Sequence, residues 1–376
     1  MLARLLASVL LLALLTPHTS SRSSSDALNG TSCSEEKRVL ITGVSGMIGS
    51  HVARELVRRR HQDCFKVFGL VRLRADLSAL SGILHSLTLV FGDITDSVRM
   101  VDVFTHANPD LVFHFAAQAI NGVSFSMAQL TLQTNVMGTL NVLEASKSLA
   151  KKPRVLVAGS STEYGDTAET HSGPIPENVI LAPVSPYGIS KLVTERLARL
   201  YYVSHGVQTV TARLFIHVGV GGTDSLAIHE FCKQIAMAEL GIAPPEIRHG
   251  NLDTFRDMTD AQDSAGVLIK LAQTGVPGEA YNVGSGTSMK TKALLDIAVA
   301  QSQVKNLTLI HEKSRLRVFD EKRLVADIGK LRNLTGWVPN TDMHQTVKNI
   351  INYWRGKVRV QYCATSEDGS TPCGSL

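Results

Sequence analysis

The chain has 376 residues, 44% hydrophobic and 19% charged, which supports a sizeable buried core and excludes a disordered polymer. The net charge of +5 is modest and no run of Lys and Arg forms a basic arm, so no nucleic-acid partner is expected. Five cysteines with no C-x-x-C pair lack zinc spacing, and no metal site is expected.

The first stretch reads as an address and not as part of the fold. Arg4 precedes an apolar run from Leu5 to Leu15, then a polar, Ser- and Arg-rich segment follows. That run is shorter than the roughly 20 residues a bilayer span needs, and it has the shape of a secretory signal. Residues 1–24 are therefore expected to be a signal segment, or alternatively an organelle transit peptide, and 25–37 a linker. The mature protein is expected in the secretory lumen or outside the cell, with no membrane span. Cys363 and Cys373 lie in a polar tail and would suit a small disulfide loop in an oxidising compartment, and an odd cysteine count leaves a free thiol. Sequons at Asn29, Asn306 and Asn333 permit glycosylation.

Order begins at Arg38–Thr42, a short buried-strand run. Gly43-Val-Ser-Gly46-Met-Ile-Gly49 follows and opens a helix whose Ile48, Val52 and Leu56 recur every four positions. Strand, glycine turn and helix together predict a dinucleotide site, with Gly43, Ser45, Gly46, Met47, Ile48 and Gly49 against the pyrophosphate. The second strand, 66–71, ends at Arg72, where an acidic residue would favour NAD and an arginine accommodates the 2′-phosphate of NADP. NADP(H) is thus the expected cofactor, with NAD possible. Strands at 87–91, 111–115 and 154–158 end at Asp93-Ile94, Ala116-Ala117-Gln118 and Ser160. A long helical stretch from about 130 to 149 carries the polar Asn135 among Leu and Val, and 209–215 resumes the sheet. Strands alternating with helices predict an α/β fold: a Rossmann-like, doubly wound parallel sheet with ligands at the carboxyl ends of its strands. The dinucleotide domain is expected over 38–215, a smaller C-terminal substrate lobe over 216–356 with some elements returning to the sheet, and a disordered tail over 357–376.

Tyr187 and Lys191 stand four residues apart at the start of a helix, which puts both on one face. An ammonium beside a phenol favours the phenolate and is expected to lower the tyrosine pKa. Such a tyrosine exchanges a proton with an alcohol or ketone oxygen while hydride moves on the adjacent carbon.

Gly43-x-x-Gly46-x-x-Gly49, Asp93-Ile94, Ala116-Ala117-Gln118, Asn135, Ser160 and Tyr187-x-x-x-Lys191 together resemble the extended short-chain dehydrogenase/reductase family, in its nucleotide-sugar epimerase and dehydratase branch. The segments 250–260, 281–286 and 330–337 are similar to the GDP-sugar members, the GDP-mannose dehydratases and GDP-4-keto-6-deoxymannose reductases. The resemblance implies catalytic roles for Ser160, Tyr187 and Lys191, with Lys191 also holding the nicotinamide ribose. It implies substrate contacts from Ser161, Thr162 and Arg256, and a nucleotide grip from Arg317 and Asp320, although Val318 replaces the usual proline. It also implies a homodimer, with the stretch around Leu192–Tyr202 as one candidate face.

Two departures bear on the reaction. Dehydratases carry a glutamate two residues before the tyrosine of the 160–165 motif; here that position is Thr162, and the carboxylate comes one step later at Glu163. On an extended chain that shift turns Glu163 to the opposite face, as a substrate-side or surface group and not a base. Ile216 stands where relatives usually have a substrate-binding asparagine. Reduction of a GDP-linked 4-keto-6-deoxyhexose is the leading expectation. A 4-epimerase comes next, then a dehydratase or a non-catalytic NADP-binding module. His205, His217, His229 and His249 lack ligand spacing, and Trp337 reads as a core anchor.

Overall fold

Runs of Val, Leu and Ile without polar alternation suit strands buried on both faces. The computed structural model, which describes residues 35–316 and 322–363, shows such strands at its centre. The leader and most of the linker, Arg317, Asp320 and residues 364–376 lie outside the described residues.

In chain order the first part holds β1 (Lys37–Thr42), α1 (Met47–Asp63), β2 (Phe65–Val71), β3 (Leu87–Phe91), α2 (Ser97–Ala107) and β4 (Leu111–His114). It continues with α3 (Asn121–Ser124), α4 (Ala128–Leu132), α5 (Gly138–Ser148), β5 (Arg154–Ser160), α6 (Asp166–Thr170), α7 (Pro186–His205) and β6 (Gln208–Leu214). Then come β7 (Ile216–Val218), α8 (Ala227–Glu239), β8 (Glu246–His249), β9 (Phe255–Arg256), β10 (Met258–Asp260), α9 (Ala261–Thr274) and β11 (Ala280–Val283). The last elements are β12 (Met289–Lys290), α10 (Thr291–Ala300), β13 (Thr308–His311), β14 (Arg323–Leu324), α11 (Gly329–Thr335) and α12 (Met343–Cys363).

Seven strands form one parallel sheet in the order β11-β6-β5-β4-β1-β2-β3. The order reverses between β1 and β4, and a crevice at the carboxyl ends of the strands is the ligand site of such sheets. Apolar layers cover both faces, one including Val52, Leu56, Leu268 and Leu271 of α1 and α9, the other Met100, Phe104, Val142 and Leu143 of α2 and α5. β11 and α9 lie beyond residue 215 yet belong to this sheet layer. A third core joins α8, α10 and α12 through Phe231, Ile235, Leu295, Ile351 and Trp354.

α12 corrects the expected tail. Residues 357–363 continue the helix, because Val347, Ile350, Ile351, Trp354 and Val358 keep a helical spacing and are buried to the last.

α7 starts cleanly. The Ser185 hydroxyl accepts the Gly188 N–H at 3.0 Å, Pro186 occupies the first turn, and Gly206 closes the helix in the left-handed region. The helix is fixed to β6 by a buried fork: Arg213 Nε and Nη2 each donate to Glu195 at 2.8 Å. Arg213 Nη1 also donates to the Tyr164 hydroxyl at 3.0 Å and to the Glu177 carbonyl at 2.9 Å. Removing one partner of such a pair strands a charge in the interior. Glu195→Ala is expected to lower the unfolding free energy by about 3–5 kcal/mol, read by urea denaturation. A loss below about 1 kcal/mol would show that the fork does not hold α7 to the sheet.

Candidate active site

The β1–α1 turn is shaped by close backbone approach. Gly43 has φ +72°, and a Cβ there would lie 2.6 Å from the Ala116 nitrogen. A Cβ on Gly49 would lie 2.2 Å from the Gly43 carbonyl oxygen. Only glycines let the turn fold this tightly against β4, leaving the start of α1 open to the cleft as a seat for an anion.

That cleft has a volume of about 1420 Å³ and runs along the carboxyl ends of the sheet. The structure brings the sequence-identified residues together in it: Gly43 and Ser45–Gly49, Arg72, Asp93 and Ile94, Ala116–Gln118, Ser160–Thr162, Tyr187, Lys191 and Arg256. Arg72 is exposed beyond the end of β2. These features fit a dinucleotide: a glycine cradle no side chain would tolerate, a helix start, and an exposed cation where a 2′-phosphate belongs.

Asn135 explains itself as a strut. It sits in a π-helical turn, 133–137, between α4 and α5, a distortion that aims its amide out of the helix. Its Oδ1 accepts the Gln118 N–H at 2.7 Å, and its Nδ2 donates to the Gln118 carbonyl at 3.0 Å and to Ser190 Oγ at 2.8 Å. One side chain therefore ties the end of β4 to α7.

Ser160 ends β5 and caps a 3₁₀ turn, 161–163. Its Oγ accepts the Thr162 N–H at 3.2 Å and the Thr162 hydroxyl at 2.9 Å, and it neighbours the Tyr187 phenol, whose ionised form it favours. Lys191 Nζ donates to the Ala158 carbonyl at 2.7 Å and stands 5.7 Å from the Tyr187 ring centroid. The expected depression of the Tyr187 pKa is not found. Burial pushes the phenol up to about 12, against the Ser160 hydrogen bond that favours the phenolate. Burial also pushes Lys191 down to about 8, with Glu163 opposing. The ammonium is committed to a carbonyl, so desolvation outweighs its pull on the phenol.

Glu163 also departs from expectation. Residues 161–163 form a tight turn and not an extended chain, so the carboxyl folds back under Ser160, whose N–H donates to Oε1 at 2.7 Å. It is fully buried and is absent from the cleft wall, neither a surface nor a substrate-side group.

On the substrate side Arg256 is buried in β9 and borders the cleft beside Ile216. Asp257 organises the lobe behind it, accepting from Ser285 N at 2.6 Å, Ser285 Oγ at 2.7 Å, Gly286 N at 2.9 Å and Ala326 N at 3.1 Å. Sequence reasoning missed this clamp, the Thr162-to-Ser160 contact, and the reach of α12, whose Tyr353 and Lys357 border the cleft. Lys357 pairs with Asp76 at 3.2 Å, a contact across 281 residues that no local pattern announces. His217 and His229 are buried, Trp337 packs on the sheet core, and no metal-holding cluster occurs among the described residues.

Comparison with known proteins agrees with this geometry. Residues 40–350 match the GDP-mannose 4,6 dehydratase family. GDP-6-deoxy-D-mannose reductase of Pseudomonas aeruginosa is 30% identical over 323 residues, covering 86% of this chain and 99% of that protein. GDP-mannose 4,6-dehydratase of Vibrio cholerae is 24% identical over 355 residues, covering 84% and 93%. Among solved structures, RMD of Pseudomonas aeruginosa complexed with NADPH superposes with a TM-score of 0.71 at 28% identity, over 85% of this chain and 99% of that one. A UDP-glucose 4-epimerase from Thermotoga maritima shares the fold, with a TM-score of 0.74 at 22% identity over 85% and 99%. With its glycine turn, its Ser160–Tyr187–Lys191 cluster and this match over most of its length, the chain belongs to the GDP-mannose 4,6-dehydratase family, in the NAD(P)-dependent nucleotide-sugar branch of the short-chain dehydrogenases/reductases.

Proposed function

We propose that this protein is an NADPH-dependent reductase of a GDP-linked 4-keto-6-deoxyhexose, working through Ser160, Tyr187 and Lys191. The observation that carries the reading is the place of Thr162. At the position where dehydratases hold a glutamate, the side chain here donates to Ser160 Oγ, and the neighbouring Glu163 is turned into the core. No carboxylate at this motif is offered to a sugar ring for proton abstraction. A serine hydroxyl has two acceptor lone pairs and one proton. Thr162 fills both lone pairs, so the proton of Ser160 goes to the Tyr187 oxygen, and the phenol's own proton is left for a ketone oxygen.

The Gly43–Gly49 turn would seat the pyrophosphate and Arg72 the 2′-phosphate, while Arg256, which lines the cleft, would face the sugar-nucleotide diphosphate. When bound, the nicotinamide cofactor supplies hydride. Mixed with NADPH and GDP-4-keto-6-deoxymannose, the protein is expected to consume NADPH in step with GDP-6-deoxyhexose formed. Tyr187→Phe is expected to lower kcat on the order of 10²–10⁴-fold by removing the proton donor. Thr162→Val leaves Ser160 free to turn its proton elsewhere and should lower kcat about tenfold with little change in KM. Product formed without NADPH loss, or full activity in Tyr187→Phe, would sink the assignment.

The reading extends to location and assembly. A secretory location is supported by the apolar leader, by a disulfide at Cys64 and by the exposed sequon asparagines Asn306 and Asn333. A homodimer is supported by the apolar outer positions of α7, with Ile189 45%, Leu200 52% and Val203 71% exposed. Secreted from a eukaryotic host, the chain should carry a glycan lost in Asn306→Gln and sediment at twice the chain mass. A sugar-free monomer retained in the cytosol would contradict both.

A further inference from the structure

The proposed proton path of Thr162, Ser160 and Tyr187 has a buried carboxyl packed beside it that takes no part. Glu163 is fully buried, and its Oε1 accepts the Ser160 N–H while the Ser160 side chain caps the same turn. A Cβ built on Gly159 would lie 2.7 Å from that oxygen, so the carboxyl packs directly against the backbone leading into Ser160. The other oxygen, Oε2, is buried and meets no hydrogen-bond partner among the described residues.

The charged and titratable groups facing Glu163 are Tyr187, Lys191 and Glu195 of α7 and Arg213 of β6. Neither cation is available to it. Arg213 is forked onto Glu195, and Lys191 donates to the Ala158 carbonyl. An anionic oxygen buried without a donor is far costlier than a neutral acid in the same place.

We propose that Glu163 is a positioning residue working as a neutral acid: Oε1 clamps the Ser160 backbone so that Oγ stays on Tyr187, and the proton on Oε2 keeps negative charge away from the phenol and the ammonium. Burial first, and then Glu195, push its carboxyl up to about 8. An ionised Glu163 would oppose phenolate formation at Tyr187 and favour the charged form of Lys191, so its protonation state and theirs move together. Only the consequence for turnover rests on the reductase reading; the clamp and its proton do not.

The test compares melting temperatures of the full-length protein and Glu163→Gln from about pH 5 to about pH 9. Between the ordinary 4.5 of the unfolded chain and about 8 in the folded one, the native state keeps a proton that the unfolded state has lost. Wild type therefore loses stability as pH rises through that window, while the uncharged, isosteric variant does not. The gap in favour of Glu163→Gln should widen up to about pH 8 and level off beyond it. A gap independent of pH overturns the neutral acid. In the ketone-reduction assay near neutral pH, Glu163→Ala should lose about tenfold in kcat with KM little changed, and Glu163→Gln should recover most of that loss. Equal losses in the two variants would overturn the clamp. Should wild type show no reductase turnover, the melting comparison still decides the proton.

Discussion

The site depends on where Ser160 sends its single proton. A hydroxyl that accepts twice must donate outward. Thr162 supplies both donors from one residue, its backbone N–H and its side chain, because the chain turns tightly after β5. The neighbour proposed to receive it is Tyr187, whose ionised form Ser160 favours. Were the phenol oxygen to accept it, the phenol's own proton would be the one free to move to a ligand. The same three residues on an extended chain would not meet in this order. The proposed proton donation therefore rests on the local 3₁₀ geometry.

Burial sharpens this arrangement and also sets its cost. Tyr187 is pushed up and Lys191 down by desolvation, so the resting site holds a neutral phenol beside an ammonium that gives up its proton more readily than usual. The phenol therefore keeps its proton at rest, as a weaker acid than an ordinary tyrosine. Buried hydrogen bonds and an ion pair also tie the surrounding frame together. Asn135 ties β4 to α7, and Arg213 with Glu195 ties α7 to β6, so Tyr187 and Lys191 ride on a helix held from two sides.

Much of this was legible in the sequence. The buried strand at 38–42, the glycine turn and the four-residue apolar period of α1 carry their own physical meaning, and each falls where a parallel sheet presents its ligand edge. Asn135 was visible as a polar residue in an apolar helix, although its partner was not, since a π turn aims it at a residue 17 positions away. Glu163 was misread because alternation holds only on an extended chain. The Tyr187 pKa was misread because spacing reveals a neighbouring charge, while desolvation depends on everything packed around it. The end of α12 was readable in the step from Trp354 to Val358, yet polar neighbours masked it. The Lys357–Asp76 and Asp257 contacts join distant segments and leave no local trace.

The claim that this site delivers a net reduction is tested most directly by following the hydride. With GDP-4-keto-6-deoxymannose and NADPH deuterated at the transferable position of the nicotinamide, the account predicts one deuterium on the former keto carbon for each NADP⁺ released. A product formed without label, with the cofactor left reduced, would contradict it and point to internal redox on a retained cofactor.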